Sequence, residues 1–176
     1  MKLILIDAYA FIYRAYYAFI KNPRINSKGV NTSAAFGFVN TLEEVLKKEA
    51  PTHIAVAFDP PGGTFRHEEY EQYKAQREET PEDIRAAVPI IKDILDAYNI
   101  KMLEIPRYEA DDVIGTISKL AEKESFEVYM MTSDKDYGQL TSEHIFMLKP
   151  KFMGTGFDKL DANAIMEKYG LSSPTQ

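Results

Sequence analysis

Cysteine is absent from the 176 residues, and its absence removes a disulfide framework, a thiolate zinc site and a cysteine nucleophile. It agrees with a reducing cytoplasm, the compartment expected here. Histidine is scarce: His53, His67 and His144 have no triad or ligand context and are expected to be structural or surface residues. No apolar run is long enough to cross a membrane. The opening MKLILIDAYAFIYRAYYAFI is interrupted by Asp7 and Arg14, which also excludes a signal peptide, so this start belongs to the fold and no membrane partner is expected. No repeat, low-complexity tract or Gly/Ser linker divides the sequence, and one ordinary domain over 1–176 with a substantial core is expected.

What is present is 45% apolar and 27% charged, a globular profile. The net charge of −6 comes from 21 basic and 27 acidic residues. Taken as a sum it opposes a nucleic-acid partner; the placement of the acids matters more.

Short apolar runs at 2–7, 53–59, 101–106, 127–134 and 144–149 read as strands buried on both faces. Helical spacing marks 33–50, 81–99, 110–125 and 161–170. Pro81 with two acids behind it starts the second of these, Pro89 is expected to kink it, and Gly170 stops the last. The alternation predicts an α/β fold: three layers, a mainly parallel central sheet, helices on both faces and right-handed crossovers. In such folds the working site lies beyond the carboxyl ends of the strands. The stretch 60–81, densely charged and flanked by Gly and Pro, reads as a partly helical, mobile excursion that Phe65 anchors.

Acids gather at those strand ends. Asp7 closes the first predicted strand, Asp59 the second, and Asp134 with Asp136 follow the fourth; Glu109, Asp111 and Asp112 open the helix after the third. Each alone is an N-cap, a helix-start signal or an Asx turn. Together they are seven anionic groups converging on one rim, and that repulsion calls for cations. Without these seven, 20 acids would face 21 basic residues. Oxygen-only donors suit Mg²⁺ or Mn²⁺, and the lack of Cys or nearby His disfavours zinc. Two such ions roughly 3.5–4 Å apart form a clamp for phosphodiester hydrolysis. No phosphate-cradling glycine loop or nucleophilic serine competes with that chemistry.

On these residues the chain resembles the amino-terminal part of the 5′-to-3′ exonuclease domain of bacterial DNA polymerase I, within the flap endonuclease superfamily and its PIN-like (resolvase-like) fold. The likeness runs in order through ILIDAYAFIYRAYYAF, AVAFDPPGGTFRHEEYEQYKAQR, EADDVIGT and MTSDKDYGQL. EADDVIG followed by SDKD is a specific pair, and the block from Phe58 to Arg77 favours the polymerase-linked branch.

The resemblance implies a divalent-metal-dependent 5′ nuclease acting on DNA with 5′ flaps, nicks or branches, in primer removal and repair, with polymerase domains covalently attached. It implies two Mg²⁺ or Mn²⁺ ions per complete site. Asp7, Asp59, Glu109 and Asp111 are expected around the first, with Asp112 beside them; Asp134 and Asp136 are shared with, or belong to, the second. Arg14, Lys74 and Arg77 are expected to engage phosphates near the scissile bond. Tyr73 is expected to stack on a terminal base, and 60–81 to form an arch over the site. Lys74 and Arg77 also admit a plainer reading, a solvated salt-bridge face with Glu71 and Glu78.

Two departures stand out. Asp7-Ala8-Tyr9 replaces the Asp-Gly-Ser of many members, so local packing is expected to differ. The chain also stops at SSPTQ (172–176), where the family continues into a helix–hairpin DNA-binding module with two further carboxylates. Neither appears in this sequence, which is expected to be either a fragment of a longer protein or a natural short form; a fragment of a DNA polymerase I is the simpler account, binding a first metal well, the second poorly and DNA weakly. The alternatives are a PIN-like ribonuclease and a non-catalytic nucleic-acid-binding module. A phosphatase or receiver-like domain with a nucleophilic aspartate is a third, and no nucleophile–lysine pairing favours it.

Overall fold

Six residues, KLILID, form β1 (Lys2–Asp7) and set the position of everything that follows. Successive side chains leave opposite faces of a strand. Ile4 and Ile6 accordingly enter one apolar layer, and Leu5 enters the other. The computed structural model describes residues 1–70, 72–74, 76, 79–151 and 156–173. It continues without a loop from β1 into α1 (Ala8–Ala18), with Asp7 as the N-cap accepting a hydrogen bond from the Ala10 amide at 3.2 Å. The chain then runs α2 (Ser33–Glu49), β2 (His53–Ala57), α3 (Phe65–Glu69), α4 (Glu82–Ala97), β3 (Lys101–Leu103), α5 (Ala110–Lys123) and β4 (Glu127–Met131). A 3₁₀ turn (Lys135–Leu140), β5 (Ile145–Pro150), β6 (Phe157–Leu160) and α6 (Ala162–Tyr169) complete it.

The strand order is β3-β2-β1-β4-β5-β6, parallel throughout except for β6, which runs antiparallel to β5. Helices α1, α2 and α4 pack on one face around Phe38, Leu42, Ile91 and Leu95; α5, α6 and the 3₁₀ turn cover the other around Ile114, Tyr137 and Ile165. Each fully buried side chain of this size contributes about 1.5–3 kcal/mol. Chain order runs away from β1 in both directions along the sheet, so β1 and β4 form its topological switch point. A crevice opens at their carboxyl ends, and Asp7 stands there.

The α/β class is as the sequence predicts, with several local differences. Helix α1 was not among the predicted helices, and β6 not among the predicted strands. β6 lies at the sheet edge with its middle residues exposed, so it has no apolar run to reveal it. The strands predicted over 53–59, 101–106 and 127–134 end two or three residues earlier, where the chain lifts off the sheet toward the rim. Helix α4 runs unbroken through Pro89. Pro89 and Arg85 are both exposed, so the carbonyl that loses its helical donor can be met by water. Among the described residues no helix is long and apolar enough to cross a membrane.

Helices α1 and α2 meet at Gly37, where an added Cβ would lie 2.6 Å from the Ala15 Cβ. Gly37→Ala therefore has to push α1 outward. A loss of about 1–3 kcal/mol is expected, read as a lower urea midpoint at unchanged slope.

Candidate active site

The crevice is a cavity of about 740 Å³ whose lining includes Asp7, Asp59, Glu109, Asp111 and Asp134. Local structure explains how each arrives. Asp7 caps α1 from the end of β1. Its Oδ2 also accepts from Thr132 Oγ1 at 3.1 Å and from the Tyr137 hydroxyl at 3.4 Å. Asp59 lies two residues past β2 and accepts from the Ala110 amide at 2.7 Å, which ties it to the first turn of α5. Glu109 is the N-cap residue of α5, and the Asp112 carboxylate accepts from its amide at 3.1 Å. Asp134 starts the 3₁₀ turn, accepting from the Asp136 amide at 3.0 Å, while its own amide donates to Thr132 Oγ1 at 3.1 Å. A second, smaller cavity of about 300 Å³ adjoins the first; Asp111 and Asp134 line both, and Asp112 and Asp136 line the smaller one.

Among the described residues, Arg66, Lys74 and Arg14 bring positive charge to this rim. Arg66, in α3, grips Asp112 with both guanidinium arms at 2.6 and 2.7 Å and lies 3.6 Å from Glu109. Lys74 donates to Glu109 Oε1 at 2.8 Å, beside the Tyr73 hydroxyl on Oε2 at 3.1 Å. Glu109 itself is only 5% exposed, so these donors are what permit its burial. Arg14, on α1, lines the larger cavity and donates to the Lys151 carbonyl at 3.4 Å.

A shared architecture gives this rim its context. Residues 2–170 match the model of the 5′-3′ exonuclease, N-terminal resolvase-like domain. The chain belongs to this family. It is 41% identical over 172 residues to DNA polymerase I of Bacillus caldotenax, covering 97% of this chain and 19% of that protein. DNA polymerase I of Deinococcus radiodurans is 40% identical over 170 residues, with 97% and 17% covered. This exonuclease-family chain thus spans about a fifth of the length of such relatives. Among solved structures, the T5 D15 protein co-crystallised with metal ions superposes at a TM-score of 0.72 and 18% identity, covering 99% of this chain and 63% of that one. The catalytic core of Rad2 in complex with a DNA substrate gives 0.55 and 20%, covering 97% and 50%. At these identities the two structures establish the fold alone.

Charge at this rim of the exonuclease-family chain is unevenly balanced. Burial, opposed by the amide and hydroxyl donors and reinforced by Asp59 and Asp134, pushes the Asp7 carboxyl up to about 6. Burial and then neighbouring Asp112 raise that of Asp111. The bonded Arg66 guanidinium holds Asp112 below the usual carboxylate range. Burial, with Asp7 the next cause, raises the Tyr137 phenol. Among the described residues no ion pair reaches Asp7, Asp59, Asp111 or Asp134, and no three carboxylates are gathered into a ready-made metal cage.

Of the positions singled out from sequence, Asp7, Asp59, Glu109, Asp111, Asp134, Lys74 and Arg14 line the larger cavity, Asp112 and Asp136 the smaller one, and Tyr73 touches Glu109. Arg77, with Glu71 and Glu78, lies outside the described residues. His67 is structural: it bonds Thr64 through the capping of α3. Phe65 packs on Tyr108 at 5.7 Å between ring centroids and its amide donates to the Arg107 carbonyl, which fixes α3 against the approach to α5. Sequence reasoning passed over Arg66, Thr132 and Tyr137. Thr132 was within reach, being the residue immediately before SDKD. Arg66 pairs across 46 positions, and nothing local marks it.

Proposed function

We propose that this chain is the carboxylate-bearing core of a divalent-metal-dependent 5′ nuclease that hydrolyses DNA phosphodiester bonds at 5′ ends and flaps. The observation that supports it most is Asp7, a buried carboxyl at the switch point of the sheet, surrounded by acids and without an ion-pair partner among the described residues. A structural cap needs none of that. The donors around it are all oxygen, a set that fits Mg²⁺ or Mn²⁺. Asp7, Asp59, Glu109 and Asp111 would hold a first ion, and Asp134 and Asp136 a second, with Asp112 tied back to Arg66. When bound, such ions neutralise the carboxylates, polarise a phosphodiester oxygen and lower the pKa of water.

The chain's own residues supply orientation. Lys74 and Arg14 present positive charge on the walls of the cavity. The 3.4 Å bond from Arg14 to a carbonyl is weak enough for a phosphate oxygen to replace it. Tyr73, whose hydroxyl reaches the cavity-lining Glu109, offers a ring for a terminal base. The described residues of the 60–81 span bring Arg66, Tyr73 and Lys74 to the rim, and on this reading they belong to the arch. A second reading, a module that binds nucleic acid without cutting it, has one observation in its favour: Glu109 is already occupied by Lys74 and Tyr73.

Calorimetry with Mg²⁺, Mn²⁺ and Zn²⁺, alongside cleavage assays on 5′-flap DNA and single-stranded RNA, separates these. At least one cation site is expected. The rise in melting temperature on adding the cation is expected to grow from pH 5 to pH 7 as Asp7 gives up its proton. Asp111→Asn and Asp134→Asn are each expected to abolish flap cleavage; cleavage surviving both refutes the metal assignment. Cation binding with no cleavage selects the non-cutting module.

A further inference from the structure

Tyr9, Tyr13 and Tyr17 recur every four residues along α1, so the helix stacks them up one side. Ring centroids are 6.4 Å apart between Tyr9 and Tyr13 and 6.3 Å between Tyr13 and Tyr17, the latter pair with planes 28° apart. Tyr9 and Tyr13 line the larger cavity, while Tyr17 is 56% exposed. Packing accounts for the inner two. Tyr9 sets its edge against Phe58 at 6.3 Å, and the Tyr13 hydroxyl donates to Thr80 Oγ1 at 3.1 Å. Packing accounts for Tyr17 only in part: it meets the Tyr16 ring edge to face at 5.2 Å, yet it stays more than half in water at the outer end of the same ladder. Beside the ladder, Arg14 adjoins Tyr13 on the helix and lines the same cavity, and exposed Lys21 follows four residues after Tyr17.

Resting on the nucleic-acid reading of the cavity, we propose that α1 is a track for a single-stranded end leaving the cleft. Successive bases lie on Tyr9, Tyr13 and Tyr17 while Arg14 and Lys21 take the phosphates. The spacing selects the occupant. Duplex bases repeat about every 3.4 Å along a strand, so consecutive duplex bases do not match rings more than 6 Å apart. An unpaired strand splays its bases to fit. Every base has a π-face, so the track is indifferent to sequence, as suits a surface that must pass any strand.

The test measures affinity of this chain, in EDTA to prevent hydrolysis, by fluorescence anisotropy for a nicked duplex with and without a five-nucleotide single-stranded 5′ tail. Tyr17→Ala is expected to weaken binding of the tailed substrate about 5-fold or more and to leave the untailed substrate unaffected. Tyr17→Phe keeps the ring and is expected to behave as the parent. A 2-aminopurine in the tail is expected to be quenched by the parent chain and not by Tyr17→Ala. A DNA tail and an RNA tail run in parallel show which sugar the track accepts. Equal affinity of parent and Tyr17→Ala for a tailed substrate that both bind overturns the track and leaves the cavity reading standing. A parent chain that binds neither substrate overturns the cavity reading itself, and the track with it.

Discussion

Asp7→Asn is expected to make the metal-free chain more stable and, on the proposed function, to cost the metal-loaded chain most of its cleavage. The carboxyl titrates near 6 in the fold against 3.8 as the ordinary value, a difference that costs the ionised folded state about 3 kcal/mol. The sign follows from the two values. Below pH 4 the group is protonated whether folded or unfolded, and no penalty exists. The penalty grows through the interval between the two pKa values and is complete above pH 6. Asparagine carries no charge and still caps α1 through its oxygen, but it turns an N–H toward Thr132 or Tyr137 and gives part of the gain back. A net gain of about 1–2 kcal/mol at pH 7.5, vanishing below pH 4, is the expected result of urea titrations across that range. Flap cleavage should fall by more than about 100-fold, since removing even a group that supports a metal ligand costs 10–100-fold. A variant no more stable than the parent at pH 7.5 would show that Asp7 carries no burden of this kind.

Arg66→Ala is expected to produce the opposite imbalance. Two short charge-assisted bonds to Asp112 disappear, and among the described residues Glu109 keeps Lys74 as its cation within 4 Å. Asp112 and Glu109 are then like charges on the first turn of one helix, the second of them buried. Breaking a buried pair from one side leaves an uncompensated charge; with both Arg66 and Asp112 partly reached by solvent, a loss of about 2 kcal/mol is expected. The Asp112 pKa is lowered in the fold, so the stability the pair contributes is present above the unfolded carboxylate value and is lost as pH falls through the folded one. The deficit of the alanine variant should therefore be level from pH 5 to 8 and close in stronger acid. Arg66→Lys keeps the charge but not the fork and should recover a part. Arg66→Ala with Asp112→Ala should be less harmful than the sum of the two single changes, the coupling being read from a double-mutant cycle.

Much of this architecture was legible before any coordinates because its strands are apolar throughout and its helices carry regular spacing. The central sheet shows as VAL-, ILE- and MET-rich runs such as EVYMM, where no alternation competes. Helix α1 was harder. AYAFIYRAYYA is aromatic and apolar nearly all round, because its inner side meets the sheet while Tyr9 and Tyr13 meet the cavity, and so its period blurs into the strand before it. The carboxylates could be placed because a parallel sheet delivers the ends of its strands to one rim. Their division between two adjoining cavities could not, since it depends on where α5 and the 3₁₀ turn point their first residues. Arg66 belongs to the same class: its role exists only once α3 is laid beside the start of α5, and Phe65 on Tyr108 is what lays it there.

The hydrogen bonds to Asp7 have an arithmetic of their own. A carboxylate offers about four lone-pair positions, and the Ala10 amide, the Thr132 hydroxyl and the Tyr137 hydroxyl claim three. One vacancy is left. Thr132, whose oxygen also receives the Asp134 amide, keeps its own hydrogen turned toward Asp7, so a proton and the cation of the proposed function would compete for that single seat. On the metal reading proposed above, acidification would act as competitive inhibition, with hydronium as the inhibitor.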